Sequence, residues 1–402
     1  MDGEAAAAPA THASRRVVDR AVAKDAEKQA GQDPRLPVLS LASLRDLALL
    51  CGRNSSGTRA VLRADLEASM AEDMNIASLT SRTAASRPAM PQRILSIDMG
   101  VRNLAYCLLQ VDAETSPSSG RRPVLQLLAW ERLSLIGGEQ GPSDGEAATA
   151  KATAAAAAAA AATGSGKPSA SAFSPPAMAA VAARLIRDRL LPLAPTHVLI
   201  ERQRFRSGGG AAVLEWTVRV NSLEAMLHGI LAYHQQLHSG KMNNKSRLFQ
   251  TIQAVSPRRV SQFLLRGGLS SGKEAQKPDL SVKVTKEKDI KDVKEAFVAG
   301  ILRASETERR VTYTESISHI VDAYLLRWDA KQSKSRHKTK KQEPEDDDGT
   351  DTLATPKPVF SKIDDMADCV TQGLAWLEWE DNKKILQTRG AEGLLAAKKI
   401  AA

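Results

Sequence analysis

Cysteine is scarce in this chain of 402 residues: Cys51, Cys107 and Cys369 lie far apart, and no two have metal-ligand spacing. That excludes a cysteine-built zinc site and makes a reducing compartment the simplest reading. Cys107 and Cys369 sit in apolar surroundings and read as buried thiols, neither ligands nor nucleophiles. His197, His228 and His319 also lack metal-ligand spacing. Outside an alanine tract there is no run of about 18 apolar residues, so no membrane-spanning helix is expected. No side-chain arrangement calls for a covalent enzyme intermediate, and no small-molecule cofactor is expected.

Positive charge, by contrast, is abundant. The formal net charge is +10 and the isoelectric point is near 9.5, which fits a polyanionic partner whose counterions lysine and arginine displace. Residues 1–36 are alanine-rich and charged and are expected to be disordered. Arg15, Arg16 and Arg20 among the alanines resemble an organellar transit peptide, whereas Asp2, Glu4, Asp19 and Asp25 count against one. Over 37–75, Leu41, Leu44, Leu47 and Leu50 recur at helical spacing, a turn runs from Gly52 to Gly57, and Val61, Leu62 and Leu66 form a second apolar stripe. This hairpin resembles the SAP-type DNA-binding motif, with Arg59 and Arg63 placed to meet phosphates; an ordinary docked hairpin is the other reading.

After a linker at 75–91 the main domain spans 92–385. RILSIDMGVRNLAYCLLQV and PVLQLLAWERLSL predict three antiparallel strands. An amphipathic helix (MAAVAARLIRDRLLPL), a buried strand (THVLIERQ) and a long helix with a stripe through Val213, Trp216, Val220, Leu223 and Leu227 follow. FQTIQAVSP predicts another strand, closed by Ser256 and Pro257 as cap and first turn of the helix RRVSQFLL. A loop at 267–290, helices near 291–306 and 315–329, and an amphipathic helix over SKIDDMADCVTQGLAWLEWE complete the pattern. Segments at about 138–175 and 330–358 read as disordered insertions, and 386–402 as a tail. The element order is that of a mixed α/β domain.

Three carboxylate positions stand out by their surroundings. Asp98 lies within the apolar strand ILSIDMG, where an ionised aspartate is costly unless something pairs with it. Glu201 ends the apolar run HVLI and meets the same cost. Asp364, Asp365 and Asp368 open the last helix, where Asp365 and Asp368 (i,i+3) or Asp364 and Asp368 (i,i+4) share a face. Acids at strand ends and a helix start can converge at one sheet edge. A hard divalent cation, magnesium with manganese as the alternative, relieves their repulsion. Two such ions roughly 3.5–4 Å apart would activate a water and stabilise the leaving oxygen of a phosphodiester. Plainer roles stay open: Asp98 as a turn cap with Gly100, Glu201 paired with Arg202 or Arg204, and Asp364 and Asp365 as acids favoured by the helix dipole.

The segments RILSIDMGVRNLAYCLL, IERQRFRSGGGAAVLEWTVRVNSLEAML, AVSPRRV and KIDDMADCVTQGLAWLEW are similar to the core blocks of mitochondrial Holliday-junction resolvases of the fungal type. That family is RuvC-like within the RNase H superfamily and also carries a SAP-like motif. The resemblance implies an α/β fold with an RNase H-like mixed sheet flanked by helices and preceded by the helical hairpin. It implies that Asp98 is the first metal ligand and Glu201 the second, with Asp368 and either Asp364 or Asp365 completing the site. It further implies a mitochondrial homodimer that binds a four-way DNA junction and cuts symmetrically related strands by metal-dependent hydrolysis. An RNase H-fold nuclease for RNA–DNA hybrids or flaps, or a non-catalytic DNA-binding scaffold, are the rivals.

Candidate DNA contacts follow from charge and place. Arg202, Gln203, Arg204 and Arg206 surround the glutamate and precede the glycine stretch at 207–210. Arg258 and Arg259 sit at a helix start, which favours phosphate. Lys338, Lys340 and Lys341 would add non-specific attraction. Trp216, Trp376 and Trp379 lie on helices and read as core or dimer packing, and the long helix at 213–238 is the candidate dimer face.

Overall fold

The computed structural model describes residues 33–81, 91–111, 124–136, 170–203, 214–239, 250–269, 287–304, 311–340 and 362–399. In chain order come α1 (Leu41–Leu50), α2 (Arg59–Ser81), β1 (Gln92–Asp98), β2 (Leu104–Val111), β3 (Leu125–Leu133) and α3 (Pro175–Arg184). Then follow β4 (His197–Glu201), α4 (Glu215–Ser239), β5 (Thr251–Val255), α5 (Pro257–Leu265), α6 (Glu287–Arg303), β6 (Val311–Tyr313), α7 (Ser318–Lys340) and α8 (Asp364–Lys399). The chain divides into two compact units. One takes Met90–Pro257 and Pro278–Gly373; the other takes the chain to Ala89, Arg258–Lys277 and Leu374–Ala402.

The first unit is built on a six-stranded sheet of order β5-β4-β1-β2-β3-β6. β1, β2 and β3 form an antiparallel meander, β4 adds to the free edge of β1 in parallel, and β5 adds in parallel to β4. Three antiparallel strands followed by parallel additions on the first strand is the RNase H-like order. β1 is buried without a break from Ile94 to Asp98 and β4 from His197 to Ile200, because both their faces are covered. Their alternation divides the work. Leu95, Ile97, Val198 and Ile200 enter a core with Met178, Ala182, Ile186 and Leu190 from α3 and its continuation, and with Val220, Leu223, Leu227 and Leu231 from α4. The alternate residues of β1 and β4, among them Ser96, Asp98 and Glu201, belong to the opposite face.

On that face lies the start of α8. Gln372 donates to Ser96 Oγ (3.0 Å) and to the Ile97 carbonyl (3.1 Å), and Trp130 Nε1 donates to the Met366 carbonyl (3.1 Å). A Cβ on Gly373 would stand 2.8 Å from Leu109 Cδ1, so glycine permits this approach of helix to sheet. Trp130 packs on Tyr324 of α7 with ring centroids 4.9 Å apart.

The second unit contains the expected hairpin of α1 and α2, and more. Ser40 caps α1 by accepting from the Ser43 N–H (3.0 Å). Leu44, Leu47, Leu62, Leu66 and Met70 share a core with Leu36 and with Leu386, Ala391 and Leu394 of α8. Residues read as a tail therefore complete this core, and the helix runs to Lys399 with one break at Gly390 (φ 69°). There the Ala391 N–H donates to the Arg35 carbonyl at 2.8 Å, and 33–36 are placed where disorder was expected. Trp379 is buried against Phe263 and beside Gly52, where a Cβ would come within 2.4 Å of its ring.

Other elements differ from the sequence reading. β6 pairs with β3 over three residues, too few to show alternation. α7 continues to Lys340, so Lys338 and Lys340 are helical where an insertion was expected; the lysine run contains neither proline nor glycine to stop it. A short helical turn at Ala170–Phe173 and the start of α3 fall inside the first expected insertion; the rest of that insertion lies outside the described residues, as do 1–32 and 341–361. On α4 the buried stripe starts at Val220, while Trp216 is 42% exposed with the Arg102 guanidinium 5.7 Å above its ring. Val213 lies outside the described residues. All three cysteines are free and buried, and no described helix is long and apolar enough to cross a membrane.

Candidate active site

The parallel register that pairs Ile97 with Ile200 brings Asp98 and Glu201 to the ends of adjacent strands. Their alternation turns both towards the start of α8, whose docking through Gln372 and Met366 presents Asp365 and Asp368. Asp98 is buried. Burial, and then the charges of Glu201, Asp368 and Asp365, hold its carboxyl well above the usual carboxylate range, and it shares a hydrogen bond with Glu201. Three of the other four acids marked in the sequence thus act on Asp98.

Asp364 differs. Burial pushes its carboxyl up, but the hydrogen bond and charge of Lys291 (Nζ to Oδ2, 2.7 Å) bring it below the usual value. Burial and the neighbouring Asp364 raise Asp365 despite Arg132, whose Nε donates to Asp365 Oδ2 at 3.1 Å. Arg132 is steadied in turn by Asn103 Oδ1 at 2.7 Å. Asp368 accepts from Lys294 Nζ at 2.6 Å.

Among the described residues Glu201 forms no ion pair with Arg202, and Arg204 lies outside them. Glu201 accepts from Gln203 Nε2 (2.9 Å) and the Met99 N–H (3.4 Å). The Gln203 backbone N–H donates to Glu224 Oε2 at 3.0 Å, so Gln203 is fixed at both ends and faces the acid, where a phosphate contact was expected. Glu224 is itself raised, by burial above all.

The basic candidates scatter. Arg202 is exposed directly after Glu201, its backbone N–H held by the Val255 carbonyl (2.7 Å); Arg204 and Arg206 lie outside the described residues. Arg258 and Arg59 are exposed in the hairpin unit. Arg259 reaches the Gly52 carbonyl at 3.1 Å, and Arg63 binds the Leu36 and Pro37 carbonyls and Glu67. The latter two, both expected to meet phosphates, make these contacts within the hairpin unit.

Lys291, Lys294, Arg132 and Glu224 were missed from the sequence. The i,i+3 spacing of Lys291 and Lys294 was visible, but nothing in it says which acids they meet.

Among the described residues no three His, Cys, Asp or Glu side chains stand in ligating geometry. The donor set nonetheless fits a hard divalent cation: oxygen ligands only, converging on a buried acid that its neighbours repel.

A family model described as mitochondrial resolvase Ydc2 / RNA splicing MRS1 matches residues 94–386, a span that includes all five acids. Cruciform cutting endonuclease 1, mitochondrial, of Schizosaccharomyces pombe is 27% identical over 150 residues, 37% of this chain and 45% of that protein. The match therefore spans less than half of that relative. The crystal structure of the yeast mitochondrial Holliday junction resolvase Ydc2 aligns with a TM-score of 0.47 and 18% identity, over 88% of this chain and 98% of that one.

Proposed function

The chain belongs to the mitochondrial resolvase Ydc2 / RNA splicing MRS1 family, and from that premise we propose that it is a mitochondrial, structure-selective endonuclease that resolves four-way DNA junctions. The observation that carries this reading is that the strand register sets Asp98 and Glu201 at neighbouring strand ends, while the helix that opens with Asp365 and Asp368 docks on the same strand through Gln372, with Asp98 buried. A protein that only binds nucleic acid has no use for such a cluster, which is costly without a cation. The named relative is a cruciform cutting endonuclease, and cruciforms are four-way junctions.

In this reading Asp98, Glu201, Asp365 and Asp368 hold magnesium, or manganese in its place. The charges of Asp365 and Asp368 act on Asp98, which favours Asp365 over Asp364 as the fourth ligand. Once bound, the cations supply an activated water and neutralise charge on the phosphodiester oxygens. The chain's own residues do the positioning: Gln203 and the Met99 N–H fix Glu201, and Arg132 fixes Asp365. Arg202, with the arginines that follow it in sequence, and Arg59 and Arg258 are the proposed backbone contacts. Symmetric cuts require two copies, and the exposed Leu214, Trp216, Val218, Tyr233 and Leu237 of α4 and its approach are the proposed dimer face.

The test is cleavage of a synthetic four-way junction beside matched duplex, flap and RNA–DNA hybrid. Paired nicks on the junction are expected; preferential cutting of the hybrid would move the protein to another RNase H-fold activity. Binding without cutting in any metal would leave a scaffold.

A further inference from the structure

We propose that Lys294, with Lys291 in a lesser part, is a positioning residue that sets the helix carboxylates for the cation; the inference rests on the metal-site reading above. The two lysines stand one turn apart on α6 and meet two acids one turn apart on α8. Lys294 Nζ is 2.6 Å from Asp368 Oδ1, and Lys291 Nζ is 2.7 Å from Asp364 Oδ2. Each lysine bonds a single carboxylate oxygen. Arg132 repeats the device on Asp365, through Oδ2. All three acids on α8 thus have a basic partner outside the cluster.

The two rungs differ in depth. The Lys294 side chain is 8% exposed and that of Lys291 46%. An exposed pair is screened and contributes little, whereas a buried ammonium beside one carboxylate restricts that carboxylate's rotamer. α6 is itself anchored from behind: Lys331 of α7 bridges Asp292 (2.7 Å) and Glu295 (2.6 Å), and Tyr324 donates to the Glu295 carbonyl (3.2 Å). Lys294 is therefore presented from a fixed helix.

Magnesium binding to the DNA-free full-length protein, read by calorimetry and by the rise in thermal midpoint, tests this. Lys294→Met is expected to weaken binding about 10- to 100-fold, the range found when a partner of a metal ligand is removed. Lys294→Arg, which keeps the charge, is expected to recover most of that loss, and the exposed Lys291→Met to lose less than about threefold. Cleavage by Lys294→Met is expected to return at raised magnesium with KM for the junction unchanged. Should the methionine variant not fold, Lys294→Gln gives the same readout.

Unchanged affinity in the Lys294 variants overturns the proposal. So does tighter binding, which would make the lysine a competitor of the cation. A raised KM for the junction with normal metal affinity would make it a phosphate contact. If the unsubstituted protein shows no magnesium binding that Asp98→Asn removes, the metal-site reading fails, and this inference with it.

Discussion

Asp98 is the residue on which the site turns, since burial beside Glu201 and Asp368 disfavours its ionised form in the metal-free fold. Asp98→Asn removes the ionisable group and keeps the shape. It is expected to stabilise the EDTA-treated protein by about 1–3 kcal/mol while abolishing cleavage. Chemical denaturation of both proteins in EDTA checks the sign, and a loss of stability would contradict it. Gln203 offers a second test. Because its side chain meets Glu201, Gln203→Ala is expected to lower kcat about 10- to 100-fold with junction affinity nearly unchanged. Parallel binding and single-turnover assays separate this from a phosphate contact, whose loss would weaken binding first.

At the scale of elements, the approach of α8 to β1 and β2 decides whether Asp365 and Asp368 reach Asp98. Gly373 leaves no room for a branched side chain beside Leu109 and Ser96. Gly373→Val is expected to destabilise the sheet unit by about 1–3 kcal/mol and to weaken magnesium binding in the same protein. Denaturation and metal titration measure the two. Much of this was legible beforehand. The runs ILSID and HVLIE announced buried strands ending in acids, and a helix opening with Asp364, Asp365 and Asp368 announced where their partners lie. Lys294, Arg132 and Glu224 were not legible, because a charged residue on an amphipathic element reads as solvent-facing until its neighbour is known. Strand β6 and the helical end of α7 escaped for a related reason: three residues show no period, and a lysine run looks like solvated chain whether or not it is helical.

At the scale of the molecule, two units draw on distant parts of one chain, and α8 contributes to both. The hairpin read from 37–75 is one part of a unit that also needs the end of the chain. Leu394→Ala is expected to cost that unit about 2–4 kcal/mol, as a core truncation does. Arg63→Ala should also destabilise it, since the guanidinium holds the Leu36 and Pro37 carbonyls. Arg59→Ala should leave stability alone and reduce the salt dependence of junction binding by about one unit of slope. Denaturation curves and a salt titration of binding distinguish these outcomes.

The most direct measurement is cleavage of a synthetic four-way junction by the full-length protein and by Asp98→Asn and Asp368→Asn, in magnesium and in EDTA. Paired nicks on the junction in magnesium, lost in EDTA and in both variants, are the predicted result. Cleavage that survives either substitution, or junction binding with no cleavage in any metal, would contradict the assignment of this site.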